Sequence, residues 1–209
     1  KDTRFEKYLS TDDVYMNSDI TPIVKVQRLH WEGNNLIVKG YSFLKYLNTD
    51  KKTRINAILV DKFDLKRVSL STKLRKDRNI TQMHGGGKQE YLFKRYVNYD
   101  YSSFEIEIDI CNSDVKSMLN DDCLLKLVIE NAGHKEECYI KNPVKGYKAR
   151  PKDRIVDNIA YSVDYDKFWR LNLTSSEIGG RIENIILTDS TMEINGYTTS
   201  LKYREVCLK

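Results

Sequence analysis

The chain has 209 residues, a net charge of +5, 40% hydrophobic and 31% charged residues, and only three prolines. That length suits one large or two small domains, and the apolar fraction supplies a real core, which excludes a disordered chain. No run of about twenty apolar residues is present to cross a bilayer as a helix.

Nothing at the start combines a basic segment, an apolar segment and a small-residue cleavage site, so no secretion signal is expected within this stretch itself. It opens on Lys1 instead of Met and ends just after a strand-like run, so we expect a piece of a larger protein.

Taken in chain order, alternating apolar residues dominate. Ile23–Trp31 reads as a strand with Leu29 and Trp31 on one face, Glu32-Gly33-Asn34-Asn35 as a turn, and Leu36–Tyr41 as the returning strand. Further strands are expected at 54–61, 65–71, 91–97, 103–109, 124–130 and 136–140, with one short helix over Ser113–Leu119 capped by Asn112 or Ser113. Eight short strands at this spacing predict an all-β fold, an Ig-like or jelly-roll-like antiparallel β-sandwich.

Residues 141–154 hold two prolines, a glycine and several basic residues, which predicts a linker. Alternation then resumes at 155–163 and 168–174 around the turn Asp164–Lys167.

A repeat is visible at an offset of 156. Val26, Leu29, Trp31, Leu36, Val38, Gly40 and Tyr41 align without a gap on Ile182, Ile185, Leu187, Met192, Ile194, Gly196 and Tyr197. The same hairpin therefore occurs twice, each ending in Gly-Tyr. The expected organisation is an extension over 1–19, a sandwich over 20–142, a linker over 143–154, and the start of a second sandwich over 155–209.

The charge is unevenly spread. Residues 51–95 contain thirteen Lys and Arg against Asp61, Asp64, Asp77 and Glu90, a local +9, so the remainder carries −4 of the total +5. Such a field favours an anionic polymer or an anionic lipid surface. The candidate contact residues are Lys73, Arg75, Lys76, Arg78 and Lys88, expected in a Gly-rich mobile stretch. The competing account is a solvated surface whose lysines keep strand edges from pairing. Nucleic acid is not expected, because no binding motif accompanies the charge.

Catalytic signals are weak throughout. His84-Gly85-Gly86-Gly87 lacks a nucleophile elbow, and Lys88 lacks phosphate-loop spacing. Asp164-x-Asp166 has the form of a divalent-ion pair, but a hairpin turn explains it better. Asp12-Asp13 and Asp121-Asp122 say less. His30 and His134 have no nucleophile or paired carboxylate at informative spacing. Tyr91, Tyr96, Tyr99 and Tyr101 suit either sugar stacking or edge packing. Cys111, Cys123, Cys138 and Cys207 show neither metal nor disulfide spacing and read as buried free thiols of a reducing compartment.

The run Ile23–Phe43, with its Trp31 strand and Gly40-Tyr41 strand end, is followed by Tyr99-Asp100-Tyr101-Ser102-Ser103-Phe104. Together they resemble the accessory β-sandwich segments of teichoic-acid polymerases and glycosyltransferases of Gram-positive bacteria, including those with a CDP-glycerol glycerophosphotransferase domain. Tyr161–Leu173 with Ile182–Tyr197 is similar to the next sandwich in such proteins. The resemblance implies a cytoplasmic transferase, peripheral at the inner face of the cell membrane, with its catalytic domain elsewhere in the same chain. No catalytic motif of that family falls here, so no catalytic, cofactor-binding or metal residue and no cofactor is expected. The expected role is polymer or membrane positioning or subunit contacts, and the implied partner is an anionic cell-wall polymer or membrane surface. The alternative is a stand-alone carbohydrate-binding or surface-adhesion module.

Overall fold

The computed structural model describes residues 20–85, 97–120, 122–141, 150–187 and 192–199, with 180–187 and 192–199 described by backbone alone. Strands β1 (Pro22–Glu32) and β2 (Asn35–Leu44) form the expected hairpin. Its two-residue turn puts Gly33 at φ +60, a left-handed conformation that glycine reaches without strain. At Gln27 the register slips by one residue, a β-bulge that lets Val24 and Val26 before it and Leu29 and Trp31 after it face the same core. Opposite the bulge, a Cβ on Gly40 would lie 2.2 Å from the Lys25 carbonyl oxygen and 2.9 Å from the Phe104 ring. Gly-Tyr therefore marks the place where the bulged backbone closes on its partner.

Strands β3 (Arg54–Asp61), β4 (Arg67–Arg75), β5 (Ser103–Asp109), β6 (Cys123–Asn131) and β7 (His134–Tyr139) extend the sheet, all antiparallel. β4 belongs to both layers. Its residues 67–70 pair with β3 and its residues 71–75 pair with β5, so one strand carries the chain around the corner of the sandwich. Between the layers lie Leu36, Val38, Leu59, Phe104, Ile106, Ile108, Leu125, Leu127 and Ile129, each at most 1% exposed. Each such side chain contributes about 1.5–3 kcal/mol by leaving water.

Helix α2 (Ser113–Leu119) closes one end of this core and starts where expected, its first amides bonded to the Asn112 side chain. Helix α1 (Arg78–His84) was not foreseen. It begins at the cap Asp77 and covers the outer ends of Tyr41 and Phe43, so the supposed mobile stretch is instead the end of β4 and a helix. Of the strand expected at 91–97, only Val97 falls within the described residues.

Strands β8 (Arg154–Val156), β9 (Ile159–Tyr165) and β10 (Leu171–Glu177) continue the same sheet. β10 hydrogen-bonds to β6 through Asn172 opposite Leu124 and Leu173 opposite Cys123, and β9 and β8 follow it outward. Tyr161, Val163, Leu171 and Leu173 join the first core, so residues 159–177 extend the first sheet. The reason is burial: the β6 end left uncovered by β7 takes β10 as its partner. The single strand expected at 155–163 is broken by a tight turn at Asp157 and Asn158, both at positive φ.

The repeated hairpin, β11 (Gly179–Leu187) and β12 (Met192–Thr199), forms a separate two-stranded sheet among the described residues. Among those residues no helix is long and apolar enough to cross a membrane.

Candidate binding surfaces

The basic candidates lie on β4 and the start of α1. Lys73 Nζ is 3.4 Å from Glu107, and Arg75 is 2.8 Å from Glu105, which Lys39 on β2 also approaches at 2.9 Å. The Lys39 hydrogen bond outweighs burial and, helped by the charge of Arg75, holds the Glu105 carboxyl below its ordinary range. These residues form a charge ladder across β2, β5 and β4. Lys76 lies 3.6 Å from Asp100 and 5.4 Å from the Tyr101 ring centroid, while Arg78 is exposed at the first position of α1. Lys88 lies outside the described residues, as do Gly86, Gly87, Tyr91, Tyr96, Cys207, Asp121 and Asp12-Asp13.

Behind the ladder, where β4 leaves β3 for β5, a cleft of about 250 Å³ opens. Asn35, Ser69, Ser71, Glu107, Asp109 and Asp114 line it. Asp109 accepts the Cys111 amide, and the Asn35 amide donates to Glu107 at 2.7 Å. The cleft is acidic and rich in small polar groups, a chemistry suited to hydroxyl donors. Among the described residues no cluster of His, Cys, Asp and Glu is arranged to hold a metal.

The remaining sequence candidates resolve as structural. Tyr99 is 3% exposed and stacks on Phe43 at 3.9 Å, which removes it from any sugar-binding face. His84 hydrogen-bonds the Tyr41 hydroxyl at 2.8 Å; burial first, then the charge of Lys25, pushes its pKa down. Gly85 donates its amide to the Thr81 carbonyl, so it offers no oxyanion donor. His30 sits 2.7 Å from Glu32. Asp164 pairs with Arg150, and Asp166 accepts Nε and Nη2 of Arg170, each at 2.6 Å, which is the hairpin turn and not a cation pair. The described cysteines are free. Cys123 is buried as expected, Cys138 is half-buried, with burial pushing it up to about 12, and Cys111 is exposed.

Sequence reasoning missed a surface on the opposite layer. The β3–β4 turn exposes Phe63 (76%) and Leu65 (82%), and the β9–β10 turn exposes Phe168 and Trp169. A polar line joins the two turns across the sheet. Asp64 bonds Lys126, whose ammonium lies 4.7 Å over the Tyr139 ring, and the Arg170 guanidinium lies 4.7 Å from that same ring and 5.1 Å from Phe168. The Lys126 bond holds Asp64 below the ordinary carboxylate range. Burial is the largest single influence on Lys126 and acts to lower its pKa, but the hydrogen bonds and charges of Asp64 and Tyr139 together outweigh it and the net shift is upward. One signal was available: Asp-Lys-Phe occurs at 61–63 and again at 166–168.

These features define an antiparallel, nearly barrel-shaped all-β module whose polar chemistry is displayed on its sheet faces and turns. Among solved structures, the chain is similar to S. aureus TarS, with a TM-score of 0.49 at 9% identity over 83% of this chain and 32% of that one. It is also similar to the 217–571 fragment of S. aureus TarS, with a TM-score of 0.50 at 8% identity over 84% of this chain and 52% of the fragment. TarS is a teichoic-acid biosynthesis glycosyltransferase, the kind of protein that the sequence resembles. At this identity the likeness is one of fold, and the chain spans about half of the fragment and a third of the longer protein. No protein-family model and no curated protein sequence matches the chain.

Proposed function

We propose that this chain is a non-catalytic accessory β-sandwich region of a teichoic-acid polymerase or glycosyltransferase, peripheral to the inner face of the cell membrane, which positions the anionic polymer. The observation that carries the reading is the fold likeness to the TarS fragment over 84% of the chain. The polymer contact centres on Lys76 and Arg78 at the start of α1: Lys73 and Arg75 face the β5 carboxylates, Lys76 stands farther from its own partner Asp100 at 3.6 Å, and Arg78 is exposed. Polymer phosphates meet these groups as screened surface charges, so binding weakens with salt.

The test is Lys76→Glu with Arg78→Glu. Affinity for a poly(glycerol phosphate) or poly(ribitol phosphate) chain falls roughly tenfold, and the full-length enzyme makes polymer of altered length. Unchanged binding together with unchanged product length overturns the polymer contact. A complete gene product without a transferase domain overturns the accessory role.

The second reading, a carbohydrate-binding module, is favoured by the acidic cleft beside Ser69 and Glu107. It predicts a signal peptide and wall anchor in the gene, and sugar binding lost in Glu107→Ala.

A further inference from the structure

The two turns that expose Phe63 and Trp169 are built alike. In Asp61-Lys62-Phe63-Asp64 and Asp166-Lys167-Phe168-Trp169, the first carbonyl accepts the amide of the fourth residue, at 3.0 and 2.9 Å. The first carboxylate gathers further amides, those of Leu65 and Lys66 in one turn and of Phe168 and Arg170 in the other. The fourth residue is left-handed in both, at φ +60 and +61. For a bulky tryptophan that conformation is strained, and it holds the side chain at the tip, 55% exposed.

The same chemistry is therefore presented twice, by turns tied together through Lys126, Tyr139 and Arg170. Within the turns the charges separate. Asp61 binds backbone amides, Asp166 binds backbone amides and the Arg170 guanidinium, and Asp64 is held by Lys126 and Arg67, with Glu137 also paired to Arg67. Lys62, Lys66 and Lys167 stay exposed beside the apolar tips. Protruding aromatic and aliphatic tips, acids turned inward and lysines left outside match the interface of an anionic bilayer. There tips insert among acyl chains while lysines meet headgroup phosphates. A protein partner would have to present carboxylates around a pair of apolar sockets.

The geometry points to a membrane-docking face formed by the turns 61–67 and 166–170, with anionic phospholipid as its ligand. This rests on the peripheral setting proposed above and is independent of the polymer contact at Lys76 and Arg78.

The experiment uses the 209-residue chain with vesicles of phosphatidylcholine alone or mixed with phosphatidylglycerol. Wild type binds the mixed vesicles and not the neutral ones. Phe168→Ser with Trp169→Asn, or Phe63→Ser with Leu65→Ser, reduces binding at least tenfold with an unchanged circular dichroism spectrum. Asn suits the left-handed position, so the first pair keeps the turn. In a Trp31→Phe background, Trp169 is the sole tryptophan, and its emission shifts to the blue when mixed vesicles are added.

Binding to mixed vesicles that survives both paired variants, with no shift in emission, overturns this face while leaving the peripheral setting standing. No binding by wild type overturns both. If the paired variants instead change only the sedimentation of the chain, the tips meet a second copy and the membrane assignment is wrong.

Discussion

The hairpins β1–β2 and β11–β12 share a register and differ in company. Val26 pairs with Gly40 and Ile182 with Gly196; Leu29 pairs with Val38 and Ile185 with Ile194; Trp31 pairs with Leu36 and Leu187 with Met192. Both strands bulge at the same place, between Val26 and Arg28 and between Ile182 and Asn184. Yet β2 goes on to pair with β5 along seven residues, while β12 pairs with β11 alone among the described residues. The hairpin and its bulge are therefore local properties of the repeated sequence. Membership of a two-layered sheet is conferred by β5, β4 and β6, which come from far along the chain.

Substitutions can break or sharpen this comparison. The largest effect falls on Gly40→Val, whose Cβ meets the Lys25 carbonyl at 2.2 Å and whose methyls meet Phe104. We expect a loss of about 3 kcal/mol or failure to fold, read from denaturant midpoints; a neutral result would show that the bulge does not require glycine. Next is Trp31→Ala. Trp31 packs against the core and donates its indole N–H to the Lys152 carbonyl at 2.9 Å. A cost of about 2 kcal/mol is expected, with faster proteolysis near Lys152.

A smaller effect concerns the ionic partner that β5 brings to β2. The Glu105 carboxyl is held below its ordinary value of 4.5, chiefly by Lys39. Its contribution is therefore present above about pH 4.5 and lost as the pH falls through the lowered native value. Glu105→Gln should flatten the acid limb of the stability profile, and an identical limb would remove Glu105 as its source. Least affected is Gly196→Ala. The second hairpin exchanges no pairing with the main sheet among the described residues, so the main unfolding transition moves by less than about 0.5 kcal/mol.

Several elements were legible because their determinants are neighbours in sequence. β3 and β5 lie within the expected bounds, and α2 spans the predicted residues behind Asn112, one of the two expected caps. The bulge was written in the sequence as well: the core residues 24, 26, 29 and 31 skip one step, which straight alternation passes over. One turn was missed and another, expected at Asp164–Lys167, falls two residues later, because both are made by residues outside the Gly and Pro vocabulary. Asp157-Asn158 adopts positive φ at both positions, and Trp169 does so inside a stretch that reads as strand.

The basic run was legible as composition only. Nothing local says that Lys73 faces Glu107 and Arg75 faces Glu105, since those contacts follow from the β4–β5 register thirty residues away. The exposed tips were equally hidden, because Phe63 and Phe168 look like core residues until the strands end before them.

The sequence by itself determined that the chain is all-β, that a bulged Gly-Tyr hairpin occurs twice, and where one helix is capped. Backbone preferences and apolar spacing act over a few residues, so a linear reading captures them. Only the tertiary structure decided that residues 159–177 complete the first sheet, that β4 belongs to two layers, and which charges and aromatics remain at the surface. Those outcomes depend on which strand edges are left open once the core has closed, a condition set by pairings between residues as far apart as Cys123 and Leu173.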